Sequence, residues 1–378
     1  MNIGIVCYPT YGGSGVVATE LGKALAAKGH KVHFITYKQP VRLEHFTQNI
    51  YYHEVSVSDY PLFDYPPYEL VLASKLVDVV KFAKLDLLHV HYAIPHASAA
   101  YMAQKILEEE GINIPFITTL HGTDITLLGK DASFEPVITF AINNSNAVTA
   151  VSESLKAETY EYFNISREIE VIPNFICLEN KEGVKIDEEL KRQVAPNNER
   201  IIAHVSNFRK VKRIPDVIKI FELLRKQIPA KLILIGDGPE RYEAELICRE
   251  RGLTKDLHVL GKVNDTERVL SIADVFLLPS EFESFGLAAL EAMSVGVPVI
   301  SSNTGGIPEV NIHGQSGFLS NVGDVEDMAK NALKILATDE SLKTFKNQAF
   351  ETAKKFDIME ILPIYEKLYE DVVKKQLT

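Results

Sequence analysis

The stretch EFESFGLAALEAMSVGVPVI, residues 281–300, contains a helix that leads into a strand. Gly296 and Pro298 predict a helix end, so we expect the helix to run from about Phe285 to Val295. The next segment, VPVIS, is apolar and short, as a buried strand is. A helix that leads directly into a buried strand is one step of an alternating α/β chain.

The same alternation extends in both directions along the chain. In the first half, apolar strand-like runs are separated by helix-like stretches: IGIVCY, KVHFITY, LDLLHVHY, IPFITTLHG and NAVTAVS. The alternation of strand-like and helix-like stretches stops near IEVIPNFI. It restarts with RIIAHVSN, KLILIGDG, LHVLGKV, ADVFLLPS and VPVISSN. The sequence therefore predicts two doubly wound α/β domains with a cleft between them, and ligands at the carboxyl ends of the strands.

A charged segment separates the two halves. CLENKEGVKIDEELKRQVAPNNE, residues 177–199, is typical of a linker with a surface helix. We expect an N-terminal domain over 1–174 and a C-terminal domain, including the linker, over 175–360. Residues 361–378 are expected to form a terminal helix that packs back on the N-terminal domain.

Composition excludes several classes of protein. The chain has 378 residues, 46% hydrophobic and 24% charged, with a formal net charge of −11. This acidity argues against a nucleic-acid or membrane-docking surface. The N-terminus lacks the features of a signal peptide, and Cys7, Cys177 and Cys248 have no metal-ligand spacing. We expect a cytoplasmic protein that binds small molecules, and leave its oligomeric state open.

Two glutamates of the opening stretch are candidate ligand-binding residues. Glu283 lies at or before the predicted helix start, where free N–H groups favour anions. Glu291 lies inside the helix among apolar neighbours, and a buried carboxylate is costly unless a hydrogen bond satisfies it. It is either half exposed and solvated, or it accepts hydrogen bonds from the hydroxyl groups of a ligand.

A basic loop follows the strand IIAHVS. NFRKVKR, residues 207–213, contains Arg209, Lys210, Lys212 and Arg213 in an otherwise acidic protein. Arginine and lysine at the carboxyl end of a strand suit a diphosphate. We favour this function over a merely solvated charge run.

A glycine loop opens the first predicted helix. GGSGVVA, from Gly12, resembles the dinucleotide fingerprint, but the second strand ends in TYKQ without the acid that holds the ribose of NAD. We therefore predict an anion-binding loop rather than an NAD site.

His121 follows a strand and precedes Gly122, Thr123 and Asp124, a position from which a side chain can touch a substrate. His89 and His91 share a strand face but have no third ligand at a telling spacing, so we predict packing residues and no metal site. The chain also has no Asp-x-Asp pair, the spacing with which many transferases hold a metal and a diphosphate.

These stretches together resemble the retaining GT-B glycosyltransferases of family 4. Glu283 to Glu291 is similar to the E-x7-E motif of that family, and GDGPE (236–240) and TGGIPE (304–309) also match. CYPTYGGSGVV, YPPYELVLASK, LHVHYAIPHA, TTLHGTDIT and VSNFRKVKR are similar to a narrower group, whose members carry out the first step of bacillithiol synthesis.

The resemblance implies a GT-B fold with two Rossmann-like domains that face each other across a cleft. It implies transfer of N-acetylglucosamine from UDP-N-acetylglucosamine (UDP-GlcNAc) to the hydroxyl of L-malate, with retention, without a metal or other cofactor, and with domain closure on the donor. The implied catalytic residues are His121, Glu283, Arg209 and Lys212. The implied donor-binding residues are Gly13, Ser206, Asn207, Arg209, Lys212, Phe285, Gly286, Leu287 and Glu291, with Glu291 on the ribose. The implied acceptor-binding residues are Ser14, Gly15, Tyr92 and Thr123.

One departure from the family concerns the diphosphate. Many members have Gly-Arg-Leu where this chain has Ser206-Asn207-Phe208, so Arg209 stands two positions after the family arginine. Lys212 matches the diphosphate lysine of the family by position.

Three alternatives remain at this stage. A family 4 enzyme with another acceptor, such as an inositol phosphate or a glycan, is the nearest, although the acidic N-terminal half favours a small acceptor. An NAD-dependent oxidoreductase is disfavoured by the missing ribose acid. A non-catalytic sugar-nucleotide sensor would share the fold, but Glu283, Glu291 and Lys212 are all present.

Overall fold

The computed structural model describes residues 1–10, 12–43, 47–57, 65–127, 131–178 and 186–377. They form two compact units, Met1–Cys177 with Ile358–Thr378, and Leu178–Asp357. These limits differ by three positions from the predicted boundaries at 174 and 360. Part of the predicted linker segment, residues 179–185, lies outside the described residues.

The first unit is built on a seven-stranded sheet in the order β3-β2-β1-β4-β5-β6-β7, with every neighbouring pair parallel. Its strands are β1 Asn2–Val6, β2 Lys31–Thr36, β3 Ile50–Glu54, β4 Leu87–His91, β5 Phe116–Leu120, β6 Ala147–Ala150 and β7 Ile169–Val171. Its helices are α1 Gly13–Ala27, α2 Tyr68–Ala83, α3 Ser98–Glu109, α4 Glu135–Asn144 and α5 Glu153–Tyr162, with short helical turns at Ala93–Ala97 and Thr123–Leu127.

The C-terminal helix, Ile358–Leu377, belongs to this first unit. Its start is tied by the Ile358 N–H, which donates to the Ile176 carbonyl at 2.8 Å. Tyr365 and Tyr369 of this helix are fully buried, and the Tyr369 hydroxyl hydrogen-bonds His89 Nδ1 on β4 at 2.7 Å. The helix therefore completes the core of the first unit.

The second unit is built on a six-stranded parallel sheet in the order β10-β9-β8-β11-β12-β13. Its strands are β8 Arg200–Val205, β9 Ala230–Ile235, β10 Leu257–Gly261, β11 Val275–Leu278, β12 Val299–Ser302 and β13 Gly317–Ser320. Its helices are α6 Glu188–Val194, α7 Ile214–Arg225, α8 Arg241–Glu250, α9 Thr266–Ser271, α10 Leu287–Ser294, α11 Ile307–Val310, α12 Val325–Leu336 and α13 Asp339–Lys354, with 3₁₀ turns at Lys210–Lys212 and Thr254–Asp256.

Both sheets reverse their strand order at one point. The reversal lies between β1 and β4 in the first unit, and between β8 and β11 in the second. This is the doubly wound, Rossmann-like order, in which ligands bind beyond the carboxyl ends of the strands on either side of the reversal. The loops that follow β1, β4, β8 and β11 are therefore the places to look for a site.

Each sheet is covered by helices that bury aliphatic side chains against it. In the second unit, Ile218, Phe221 and Leu224 of α7 pack with Leu232 and Leu234 of β9, all fully buried. Full burial of one such side chain contributes about 1.5–3 kcal/mol. None of the described helices combines the length and the apolar character that a membrane crossing requires.

Candidate active site

The glycine loop of the first unit leads directly into α1. Gly12 is the N-cap of the helix and offers no side-chain cap. A Cβ at Gly15 would come to 2.4 Å from the Tyr8 carbonyl oxygen and 2.6 Å from that of Thr10, so only glycine lets the first turn pack on this loop. The first turn has no acidic side chain to occupy its N–H groups, and an anion is favoured there.

The Tyr92 hydroxyl joins the predicted acceptor residues. It donates to Ser14 Oγ at 2.6 Å and lies near the Thr123 side chain. Burial raises the pKa of Tyr92, so the phenol stays protonated. Tyr92 has a φ of 84°, which costs energy in a non-glycine residue and recurs at functional sites. Ser14, Tyr92 and Thr123 thus come from three separate segments of the chain and lie together.

Asp124 fastens two of these loops to each other. Its carboxylate is fully buried and accepts from the Ala93 N–H at 2.9 Å and the Gly122 N–H at 3.1 Å. Burial raises the pKa of Asp124, and these N–H groups act in the opposite direction. Asp124 therefore sets the distance between the loop after β4, which carries Tyr92, and the loop after β5, which carries His121 and Thr123.

We expect Asp124→Asn to lower the free energy of unfolding by about 2 kcal/mol, because the amide NH₂ replaces one of the two acceptor oxygens and faces a backbone N–H that needs an acceptor. Urea unfolding measures the change. Asp131→Asn is the matched control, since Asp131 is exposed and, among the described residues, its carboxylate bonds only to Ser133, and it should change stability by less than about 0.5 kcal/mol. Equal losses of stability in the two variants would contradict the role of Asp124 in joining the two loops.

His121 lies beside Tyr92, with ring centroids 5.1 Å apart, and its ring is partly exposed. A hydrogen bond of 2.8 Å joins its Nε2 to Nδ1 of His91, which is fully buried. Burial lowers the pKa of His121 to about 3, so the imidazole is neutral at pH 7. It therefore contributes hydrogen bonds rather than charge.

The histidines of β4 have packing and hydrogen-bonding roles. His89 and His91 stack with centroids 4.5 Å apart, and His89 Nε2 hydrogen-bonds Thr119 Oγ1 at 2.7 Å. In the part of the chain that the structure describes, no three His, Cys, Asp or Glu side chains are grouped as a metal ion would require.

In the second unit, the loop after β8 is held by His204. Its Nδ1 lies 2.8 Å from the Leu277 carbonyl oxygen, which can only accept, so Nδ1 carries the proton and Nε2 is an acceptor. The Ser206 hydroxyl, 2.8 Å from Nε2, therefore donates to His204, while its oxygen accepts from the Phe208 N–H. The Ser206 proton is thus engaged within the loop, and any contact of Ser206 with a ligand must use its oxygen or its backbone.

The four cations of the basic loop have different environments. Arg209 and Lys210 are exposed, as is Asn207. Arg213 has a φ of 52°, begins α7 and pairs with Asp216 at 2.6 Å, which makes it a structural residue. Lys212 is largely buried, and its Nζ lies 2.5 Å from Glu283 Oε1. The fold therefore orders both Lys212 and Arg213, of which Lys212 is held by Glu283, whereas Arg209 is exposed.

Glu283 is held at one of its two oxygens. Oε1 accepts from Lys212 Nζ and from the hydroxyl of Ser280, which is fully buried, at 2.8 Å. Among the described residues, Oε2 has no hydrogen-bond partner, and the side chain is 13% exposed. The carboxylate is thus oriented by two donors and keeps one oxygen for a ligand.

Helix α10 starts two residues later than predicted, at Leu287, and ends at Ser294. Gly286 is its N-cap at a φ of 97°, without a side-chain cap, and Phe285 is buried against Phe356. Its first turn therefore presents N–H groups that can donate hydrogen bonds to an anion.

Glu291 is half-buried rather than fully buried. The apolar neighbours Leu290, Ala292 and Met293 are fully buried, and the helix turns Glu291 away from them. Its position on the helix leaves it able to accept from a ligand without the full cost of burial.

Two glycine loops support these residues by close approach. A Cβ at Gly236 would lie 1.8 Å from the Ser206 carbonyl oxygen, and one at Gly305 would lie 2.1 Å from that of Glu283. The Gly306 N–H also donates to the Glu283 carbonyl at 2.9 Å. GDGPE therefore packs closely on the start of the basic loop, and TGGIPE packs closely on the segment that carries Glu283.

The sequence analysis does not predict the roles of three residues in this arrangement. These are His204, Ser280 and Asp124, which joins the loops after β4 and β5. A polar residue inside or just after an apolar strand is the available signal, as with His204 within IIAHV. The partners of these residues are distant in sequence, so the pattern alone does not give their role.

Comparison with known proteins agrees with this arrangement. The model of Glycosyltransferase Family 4 matches residues 11–180, and that of Glycosyl transferases group 1 matches residues 185–352. The chain belongs to this family of glycosyltransferases and has the GT-B fold.

A close relative is N-acetyl-alpha-D-glucosaminyl L-malate synthase of Bacillus anthracis, 46% identical over 99% of this chain and 98% of that protein. Among solved structures, sucrose-phosphate synthase from Thermosynechococcus elongatus matches with a TM-score of 0.79 and 22% identity, covering 99% of this chain and all of the other. Anabaena HepE, in complex with UDP and glucose, matches with a TM-score of 0.80 and 20% identity over 97% and 99% of the two chains.

Proposed function

We propose that this protein transfers N-acetylglucosamine from UDP-GlcNAc to the hydroxyl of L-malate with retention at the anomeric carbon, in the cytoplasm, as the first step of bacillithiol synthesis. The observation that carries the proposal is the 46% identity to the malate synthase over nearly all of both chains. The geometry of each unit supports it.

The second unit offers what a sugar nucleotide needs. Lys212, Arg209 and the first turn of α10 supply positive charge for the diphosphate, with N–H groups at Phe285, Gly286 and Leu287. The free Oε2 of Glu283 accepts from a hydroxyl of the sugar, and Glu291 accepts from the ribose hydroxyls. Ser206 and Asn207 shape the loop around the nucleotide.

The first unit offers what a small dicarboxylate needs. Hydroxyl groups of Ser14, Tyr92 and Thr123 lie beside the first turn of α1, whose N–H groups at Gly13 and Ser14 have no side-chain cap. Carboxylates bind well to such donors. His121, next to Tyr92, contacts the transferred sugar.

The reaction follows from this distribution of groups. The hydroxyl oxygen of malate attacks C1 of the sugar on the face that UDP leaves, the bond from C1 to the β-phosphate oxygen breaks, and the hydroxyl proton moves to that phosphate. The products are the α-glycoside of malate and UDP. The protein positions two anions and stabilises the leaving diphosphate by fixed charge, so we propose that it needs no metal or other cofactor.

A direct assay tests acceptor and metal together. The purified protein is incubated with UDP-GlcNAc, with EDTA, and with L-malate, D-malate or an inositol phosphate, while UDP release is measured. We expect rapid release with L-malate alone and no inhibition by EDTA. Release with the inositol phosphate but not with L-malate would overturn the acceptor assignment, and loss of activity in EDTA would overturn metal independence.

A further inference from the structure

The hydrogen bond between His91 and His121 has a preferred direction. Each ring is neutral, because burial lowers the pKa of His121 to about 3 and that of His91 further below its ordinary value. A neutral imidazole carries one proton, so in the pair joined by His91 Nδ1 and His121 Nε2 one nitrogen donates and the other accepts. The environments of the two remaining nitrogens, His91 Nε2 and His121 Nδ1, decide which ring donates.

The remaining nitrogen of His91 favours one of the two arrangements. His91 Nε2 is buried and has no hydrogen-bond partner among the described residues. If His91 accepted from His121, this buried Nε2 would carry an N–H without an acceptor, which is rare in folded proteins. If His91 donates from Nδ1, Nε2 is left as a bare acceptor, which is the less costly case.

The loop around His91 is held in place for this role. His96 Nδ1 hydrogen-bonds the His91 carbonyl oxygen at 2.5 Å, so His96 donates there. His89 stacks on the other side of the His91 ring and is itself fixed by Tyr369 and Thr119. His96 therefore fixes the His91 backbone, and turning the His91 ring would break its stacking on His89 and its bond to His121.

We infer that His91 is a positioning residue: it donates from Nδ1 to His121 Nε2 and thereby fixes His121 as the tautomer with its proton on Nδ1. That Nδ1 has no partner among the residues described and belongs to a partly exposed ring. His121 then presents an N–H donor to the substrate, a group that orients a sugar hydroxyl or phosphate oxygen and that does not remove a proton. The identity of that substrate rests on the proposed function, whereas the tautomer does not.

Nitrogen-15 NMR of the wild-type protein labelled at histidine tests the tautomer without any turnover. Loss of one set of signals in His121→Asn assigns His121. We expect its Nδ1 to be protonated and its Nε2 to be an unprotonated acceptor at pH 7.5. A proton on Nε2 would overturn the inference, whatever the enzymatic assay shows.

Variants test the consequence for catalysis. His91→Leu removes the donor and should release the tautomer of His121, lowering kcat about 10- to 100-fold, as loss of an orienting partner does, while UDP affinity, set by the second unit, stays unchanged. His91→Asn places an amide N–H where Nδ1 was and should restore most of the loss. The matched control is His33→Asn, which alters another buried histidine of the first unit, bonded to His53 and not to His91 or His121, and should leave the His121 tautomer unchanged. A wild-type tautomer in His91→Leu would contradict the assigned role.

Discussion

Replacing Lys212 by alanine should lower kcat for sugar transfer about 100- to 1,000-fold, as removal of one preorganised charge or donor from a transition state does. Negative charge accumulates on the β-phosphate as its bond to the sugar breaks. Lys212 is an ordered cation of the basic loop, held by Glu283 at 2.5 Å, so it can stabilise that charge without reorganising. Steady-state kinetics with UDP-GlcNAc and L-malate measures the effect.

Two further variants serve as controls for the effect of Lys212→Ala on turnover. Lys219→Ala removes the same charge from an exposed surface pair with Glu326 and should leave turnover unchanged. Lys212→Ala combined with Glu283→Gln removes the carboxylate that would otherwise be left without its cation, and should restore any lost stability without restoring turnover. Near-normal turnover in a folded Lys212→Ala protein would rule out this lysine as the diphosphate cation.

Lowering the pH from 7.5 to 5.5 should reduce the free energy of unfolding of the first unit by about 5 kcal/mol through four histidines on and after β4 and β5, and by more once His33 is included, because burial lowers its pKa to about 4. His89, His91, His96 and His121 are neutral in the folded state, with the pKa of His89 lowered to about 3 and that of His96 to about 4. In the unfolded chain they titrate near pH 6.5, so below that pH the unfolded state binds protons that the folded state does not. Each histidine then costs about 1.4 kcal/mol at pH 5.5.

Urea unfolding at a series of pH values checks this dependence. Stability should be constant above pH 7 and fall steadily from about pH 6.5 towards pH 4. His89→Gln should remove about 1.4 kcal/mol of the difference between pH 7.5 and 5.5. Stability independent of pH over this range would show that the buried histidines are charged or paired.

The central parts of both sheets could be predicted from sequence, because buried parallel strands are continuous apolar runs. The strands at three sheet edges were not predicted as such. β3, IYYHE, is half exposed and has no apolar run, β13, GFLS, is short and begins with glycine, and IEVIPNFI, which contains β7, was interpreted as the end of the alternating pattern. Edge strands lack one covering neighbour, so the hydrophobic pattern that reveals central strands is weaker in them.

The site could be predicted where a short segment carries the chemistry. The basic loop, the glycine loop and the pair Glu283 and Glu291 each stand out locally, and their proposed roles follow from the family resemblance. What sequence could not supply is the contact between segments. The bond from Lys212 to Glu283, the bond from His91 to His121 and the joining of two loops by Asp124 depend on which strands are neighbours, and the half-buried state of Glu291 depends on how α10 is rotated.

The most direct test of the whole account is the structure of the product formed from UDP-GlcNAc and L-malate. Mass spectrometry and proton NMR of the purified product should show N-acetylglucosamine joined to the malate hydroxyl through an α-anomeric bond, in an amount equal to the UDP released. A β-anomer would contradict retention with attack on the face that UDP leaves. UDP release without a malate-containing product would contradict L-malate as the acceptor.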